Sequence, residues 1–162
     1  DTGSVTLSNG NLTATPTTGA IAGAVGTLGV SSGKWYFEYT PTAVNGTGDV
    51  VGFITAFDGT LKVAGYRSSG FIYTNGATTS GYATWTVGDV IGIALDIGGS
   101  TISCYKNNTL QATLSLTTAI SDYCFPLLWF RNDAGSGSVN FGQQPWAFTP
   151  PSGYVGLNTY NM

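Results

Sequence analysis

Residues 88–108, GDVIGIALDIGGSTISCYKNN, constrain the fold more tightly than any other stretch. Ile91, Ile93, Leu95 and Ile97 share one face of an extended segment, and Val90, Gly92, Ala94 and Asp96 share the other. That period of two is the signature of a strand with one strongly apolar face. Gly98-Gly99-Ser100 reverses the chain into a second strand, Thr101–Lys106, with Ile102 and Cys104 facing away from Ser103 and Tyr105. Asn107-Asn108 supplies the next turn, because asparagine tolerates the left-handed backbone of a tight hairpin.

The same pattern repeats along the chain. Strands are predicted at Val5–Ser8, Leu12–Ala14, Ala20–Val30 (interrupted by glycines), Lys34–Thr40, Val50–Phe57, Lys62–Ala64 and Gly70–Tyr73. Further strands are predicted at Val90–Ile97, Thr101–Lys106, Gln111–Leu114, Tyr123–Phe130 and Ser138–Phe141. In Lys34–Thr40 the residues Trp35, Phe37 and Tyr39 alternate with Lys34, Tyr36 and Glu38, and Val51, Phe53 and Phe57 repeat the arrangement. Two such faces are what a pair of packed sheets buries between them. With 24 glycines and no amphipathic helical spacing, the reading is all-β: a two-sheet antiparallel sandwich forming one domain over residues 1–162. Gly65–Thr84 and Arg131–Gly137 read as loops, where binding on a rigid scaffold usually resides.

Composition narrows the function. Charged residues are 8% of the chain, well below the typical ~25%. Five scattered cations (Lys34, Lys62, Arg67, Lys106 and Arg131) form no basic stripe, which argues against nucleic acid as a partner. No apolar run approaches the ~20 residues of a membrane-spanning helix, and the first residues lack the basic start and apolar run of a signal peptide. The absence of an initiator Met suggests an excised domain or a processed product. Neutral, Gly/Thr-rich surfaces suit extracellular or virion proteins. Cys104 and Cys124 read as buried free thiols in preference to a disulfide, and with no histidine they make no zinc site.

Enzyme chemistry finds little to work with. A glycosidase usually sets two carboxylates about 5–9.5 Å apart, yet Glu38 is the single glutamate. Asp89 and Asp96 have turn and strand-edge explanations, and Asp49, Asp58, Asp122 and Asp133 stand apart. There is neither a histidine base nor a G-x-S-x-G elbow for triad chemistry. Clustered carboxylates for calcium are missing, and the surroundings of Asp58 or Asp133 come nearest to suiting a cation. The expectation is a non-enzyme without cofactor or metal.

Several blocks resemble the SPRY (B30.2-like) family, whose fold is a concanavalin-like sandwich of jelly-roll type. Gly33-Lys34-Trp35-Tyr36-Phe37-Glu38 is similar to its GKWYWEV strand. Gly65-Tyr66-Arg67-Ser68-Ser69-Gly70 with Tyr73-Thr74-Asn75-Gly76 resembles its central GY…G…YxNG segment. Gly88–Gly92 followed by Ser103–Asn107 resembles GDVIGV…SFYKNG, with Cys104 where Phe is usual and Asn108 where Gly is usual. Phe125-Pro126 and Val139-Asn140-Phe141-Gly142 resemble the closing strands. The order and spacing of these blocks carry the resemblance over most of the chain. The opening VTLSNGNLTAT and the tail from Asn140 to Thr159 resemble the subset found in bacteriophage virion and tail proteins.

The resemblance implies a non-catalytic recognition module of a phage or phage-like virion, binding a host-surface protein or glycan or another virion protein through its loops. Peptide-binding members use a Tyr before the central turn and a Trp ending a late strand, positions matched by Tyr73 and Trp129. Tyr66, Arg67, Arg131, Asn132 and Asp133 lie in the adjoining segments and complete the candidate ligand-binding set. A carbohydrate-binding module and a structural decoration or assembly domain are the alternative readings. The sandwich core would equally accommodate Tyr73 and Trp129.

Overall fold

A computed structural model of the chain describes residues 5–17, 21–44, 48–57, 61–74, 77–116, 123–131 and 135–162. In chain order the strands begin with β1 (Val5–Ser8), β2 (Thr13–Pro16), β3 (Ala22–Val25), β4 (Lys34–Ala43) and β5 (Val50–Phe57). There follow β6 (Leu61–Arg67), β7 (Phe71–Thr74), β8 (Ala77–Ser80), β9 (Ile91–Asp96) and β10 (Thr101–Lys106). The last are β11 (Thr109–Ser115), β12 (Phe125–Phe130), β13 (Ser136–Asn140) and β14 (Val155–Gly156), before a 3₁₀ turn at Thr159–Asn161. One sheet runs β1-β2-β13-β4-β9-β10-β11, with β14 lying parallel to the start of β4; the other runs β3-β12-β5-β6-β7-β8. All other pairings are antiparallel. The all-β, two-sheet sandwich is thus the observed fold.

The core lies where the predicted apolar faces meet. Phe37 and Tyr39 of β4, Ile91, Ile93 and Leu95 of β9, and Ile102 of β10 oppose Val51 and Phe53 of β5, Tyr66 of β6 and Phe130 of β12. The Phe37 and Phe53 rings meet edge to face across the sheets, with centroids 5.4 Å apart, a favoured aromatic geometry. The hairpin of residues 88–108 forms as read. Asn107 and Asn108 both take positive φ, 47° and 65°, and Ser100 takes 48°.

Asp89 ties the two ends of this hairpin together. Its carboxylate accepts from Thr86 N–H and Asn107 Nδ2 at 2.8 Å each and pairs with Lys106 at 3.1 Å. Burial pushes its acidity down, but those donors outweigh it and hold the carboxyl below its ordinary 3.8.

Two expectations are corrected. The segment 65–84 is not a loop: β6, β7 and β8 run through it as successive hairpins of the smaller sheet. Gly135–Gly137 is not exposed loop either, since Ser136 and Gly137 pair with β4 and Gly135 is buried beside Asp49 and Phe130. The second face of β4 is covered as well. Tyr36 and Glu38 are buried, because the chain after β13 returns across them: Trp146 meets the Tyr36 ring edge-on at 5.2 Å.

Candidate functional site

Strand alternation in the smaller sheet turns Val51, Phe53, Tyr66, Ile72, Leu128 and Phe130 into the core and their neighbours outward. The outward residues are unusually apolar for a solvent face. Ile54, Val63 and Leu127 form a small cluster of their own, with Tyr73 and Trp129 against it. Tyr73 on β7 and Trp129 on β12 are separated by β5 and β6, three strand spacings or roughly 14 Å of sheet. Their ring centroids are nevertheless 6.1 Å apart, at an interplanar angle of 83°.

Two glycines explain that approach. In the register, Tyr73 faces Gly65, Gly65 faces Gly52, and Gly52 faces Leu127. With no side chain at Gly52 or Gly65, both large rings lean over the strands between them. The backbones are equally close: a Cβ on Gly65 would fall 2.5 Å from the Val51 carbonyl oxygen. Isolated glycines within strands often mark such crowding.

Beside the two rings is a pocket of about 220 Å³, lined by Val50, Tyr73 and Trp129, by Ile21 and Gly48, and by Arg67 and Arg131. Arg67 lies over the Phe71 ring at 5.6 Å, an arrangement favourable to a cation. Its guanidinium rests against Gly48, where any Cβ would overlap it. Arg131 is exposed at the end of β12, and its N–H donates to Asp49 Oδ1 at 3.2 Å. Asp49 is itself buried and also accepts Ser68 N–H at its main-chain carbonyl. It thereby joins the residues that follow β12 and β6, next to the two arginines.

Of the residues singled out from the sequence, Arg67, Tyr73, Trp129 and Arg131 converge on this pocket. Tyr66 does not, which is a correction. It is fully buried on the opposite face, its hydroxyl donates to the Ala83 carbonyl, and burial pushes its phenol up to about 12. Asn132 and Asp133, together with Asp58 and Asp122, lie outside the described residues. The pocket sits at the end of a sheet face, with Val50, Arg67, Tyr73 and Trp129 on strands and Ile21, Gly48 and Arg131 on the segments that flank them, because most of the segment read as its loop folded into strands. Sequence reasoning missed Val50, Ile21 and Gly48, and it took Asp49 to stand apart, where it is buried beside the site. The signal for Asp49 was its position directly before the apolar run VVGFI.

No family model matches this chain. Among solved structures it is similar to the SPRY domain of human HERC1, with 23% identity over 87% of this chain and 94% of that one, at a TM-score of 0.70. A human SPRY domain matches 88% of this chain over 98% of its own length, at 14% identity and a TM-score of 0.69. The fold is a SPRY fold. Stonustoxin matches 85% of this chain with a quarter of its own length, 25%, at 20% identity and a TM-score of 0.63. The SPRY strand order carries the site just described on its smaller sheet.

Proposed function

We propose that this SPRY-fold domain is a non-catalytic protein-recognition module whose binding face is the outer side of the β3-β12-β5-β6-β7-β8 sheet. The observation that carries the reading is the pocket where Tyr73, Trp129, Arg67 and Arg131 meet. Aromatic and arginine side chains dominate binding hot spots. Both rings are fixed by the sheet beneath them, so little entropy is lost when a partner docks. The edge-to-face arrangement of Tyr73 and Trp129 favours a partner side chain entering the pocket over a sugar ring lying flat on two coplanar faces. Arg67 and Arg131 would set the partner's orientation. The setting we infer is the exterior of a phage or phage-like virion, with a host-surface or virion protein as partner. It rests on the resemblance of the chain's opening and its Asn140–Thr159 tail.

Display of random peptides tests the site directly. Peptides enriched on the wild-type domain should bind Trp129→Ala at least about 30-fold more weakly, the loss of one hot spot of roughly 2 kcal/mol. The variant's melting temperature should stay within about 4 °C, since Trp129 faces away from the main core. A variant that unfolds, or one that retains the peptides, rejects the reading. Labelled domain that decorates susceptible bacterial cells, and fails to do so as Trp129→Ala, would support the virion setting; absence of decoration would count against a host-surface partner.

A further inference from the structure

A second cavity, of about 320 Å³, opens between the sheets at the end where the β1–β2 turn meets the segment after β3. Its inner walls are Phe37 of β4, Leu128 of β12 and Leu157, all buried, with Ala14 and Ala24 on opposite sides. Leu7 and Val25 stand at its rim and remain 38% and 42% exposed. The polar side chains in its lining are Asn11 and Thr27, both exposed. Among the described residues, no ionisable side chain lines it.

The cavity is large for a packing gap. A dry cavity of roughly 150 Å³ already admits benzene, and ligand sites begin at about 300 Å³. Small residues keep it open: Ala14 and Ala24 face it from β2 and β3, where strands more often carry larger β-branched side chains. A charged group entering it would be stripped of water with nothing opposite to compensate. A neutral chain would replace water against apolar walls and leave its polar end at the mouth, beside Asn11 and Thr27. We propose that this cavity is a binding site for a neutral aliphatic chain of about eight to twelve carbon atoms, separate from the Tyr73–Trp129 pocket and independent of it.

Titration with 1-octanol, followed through amide chemical shifts, tests the assignment. Saturable shifts should appear at residues 7–14 and 24–28, and octylammonium and octanoate should bind at least about tenfold more weakly. Ala24→Leu, which places a larger side chain in the cavity, should abolish the shifts while the domain stays folded. Ala14→Val serves the same purpose from the other wall should Ala24→Leu fail to fold. The proposal fails if 1-octanol gives no saturable shifts up to its solubility. It fails equally if folded filling variants bind as wild type does, or if the charged analogues bind as tightly as the alcohol.

Discussion

Glu38 is the chain's single glutamate and, among the described residues, one of few buried polar side chains, 3% exposed on the face of β4 that alternation turns away from the space between the sheets. Its carboxylate accepts the N–H groups of Ala147 and Phe148 at 2.9 Å each, and the Tyr36 hydroxyl donates to it at 3.3 Å. It therefore fastens the returning chain over the larger sheet. Bonds of this charge-assisted kind are worth about 1.5–3 kcal/mol each, and donors left unpaired in a buried site add a penalty. Glu38→Ala should cost roughly 3 kcal/mol or more in chemical denaturation. Glu38→Gln, which keeps a carbonyl acceptor, should cost less. Hydrogen exchange gives the sharper reading: protection should fall first across residues 141–158. A loss spread evenly over both sheets would show that Glu38 does not hold this segment in particular.

At the scale of the element, the site depends on what β5 and β6 omit. Gly52 and Gly65 sit side by side on the outer face, and an added Cβ at Gly52 would collide with the backbone of Ala64 and Gly65. Backbone cannot move aside as a flexible side chain can. Overpacking of this kind typically costs about 1–3 kcal/mol, occasionally more. Gly52→Ala should therefore destabilise the domain by at least about 2 kcal/mol on a urea melt. It should also alter the near-ultraviolet signal of the Tyr73–Trp129 pair. A neutral substitution would mean that the strands are not in close approach there. These glycines also show where sequence reading stopped. Alternation correctly sent Val51 and Phe53 inward, since that depends only on the two-residue period. It could not say that Tyr73 and Trp129, from strands three places apart, would meet over two bare positions. Nor did it find β8, whose sequence Ala-Thr-Thr-Ser has no apolar face and is exposed throughout. Short β14 was missed for a different reason: its two residues join a parallel pairing that only tertiary structure supplies. Tyr66 was misplaced because its neighbourhood was read as loop, which hid the alternation that points it inward.

Across the whole molecule, the two free cysteines report on how the sandwich opens. Cys104 lies on β10, flanked on both sides by β9 and β11, with none of its surface exposed. Cys124 is just as buried, but it sits before β12 and is held by a single bridge to Val30, with hydrogen bonds of 2.8 and 3.0 Å. Its neighbour Tyr123 is 58% exposed. Burial pushes both thiols up to about 12, and only the thiolate attacks a disulfide reagent. In the closed domain near neutral pH neither thiol should react with Ellman's reagent at an appreciable rate. Isolated bridges open locally more readily than central strands, which usually open only with the global transition. Cys124 should therefore react first, with little dependence on urea, and Cys104 should follow with the denaturant dependence of complete unfolding. Cys124→Ala should remove the early phase alone, leaving one thiol that reports the global free energy. A single phase for both thiols, equally sensitive to urea, would mean instead that the Val30–Cys124 bridge opens only with the whole sandwich.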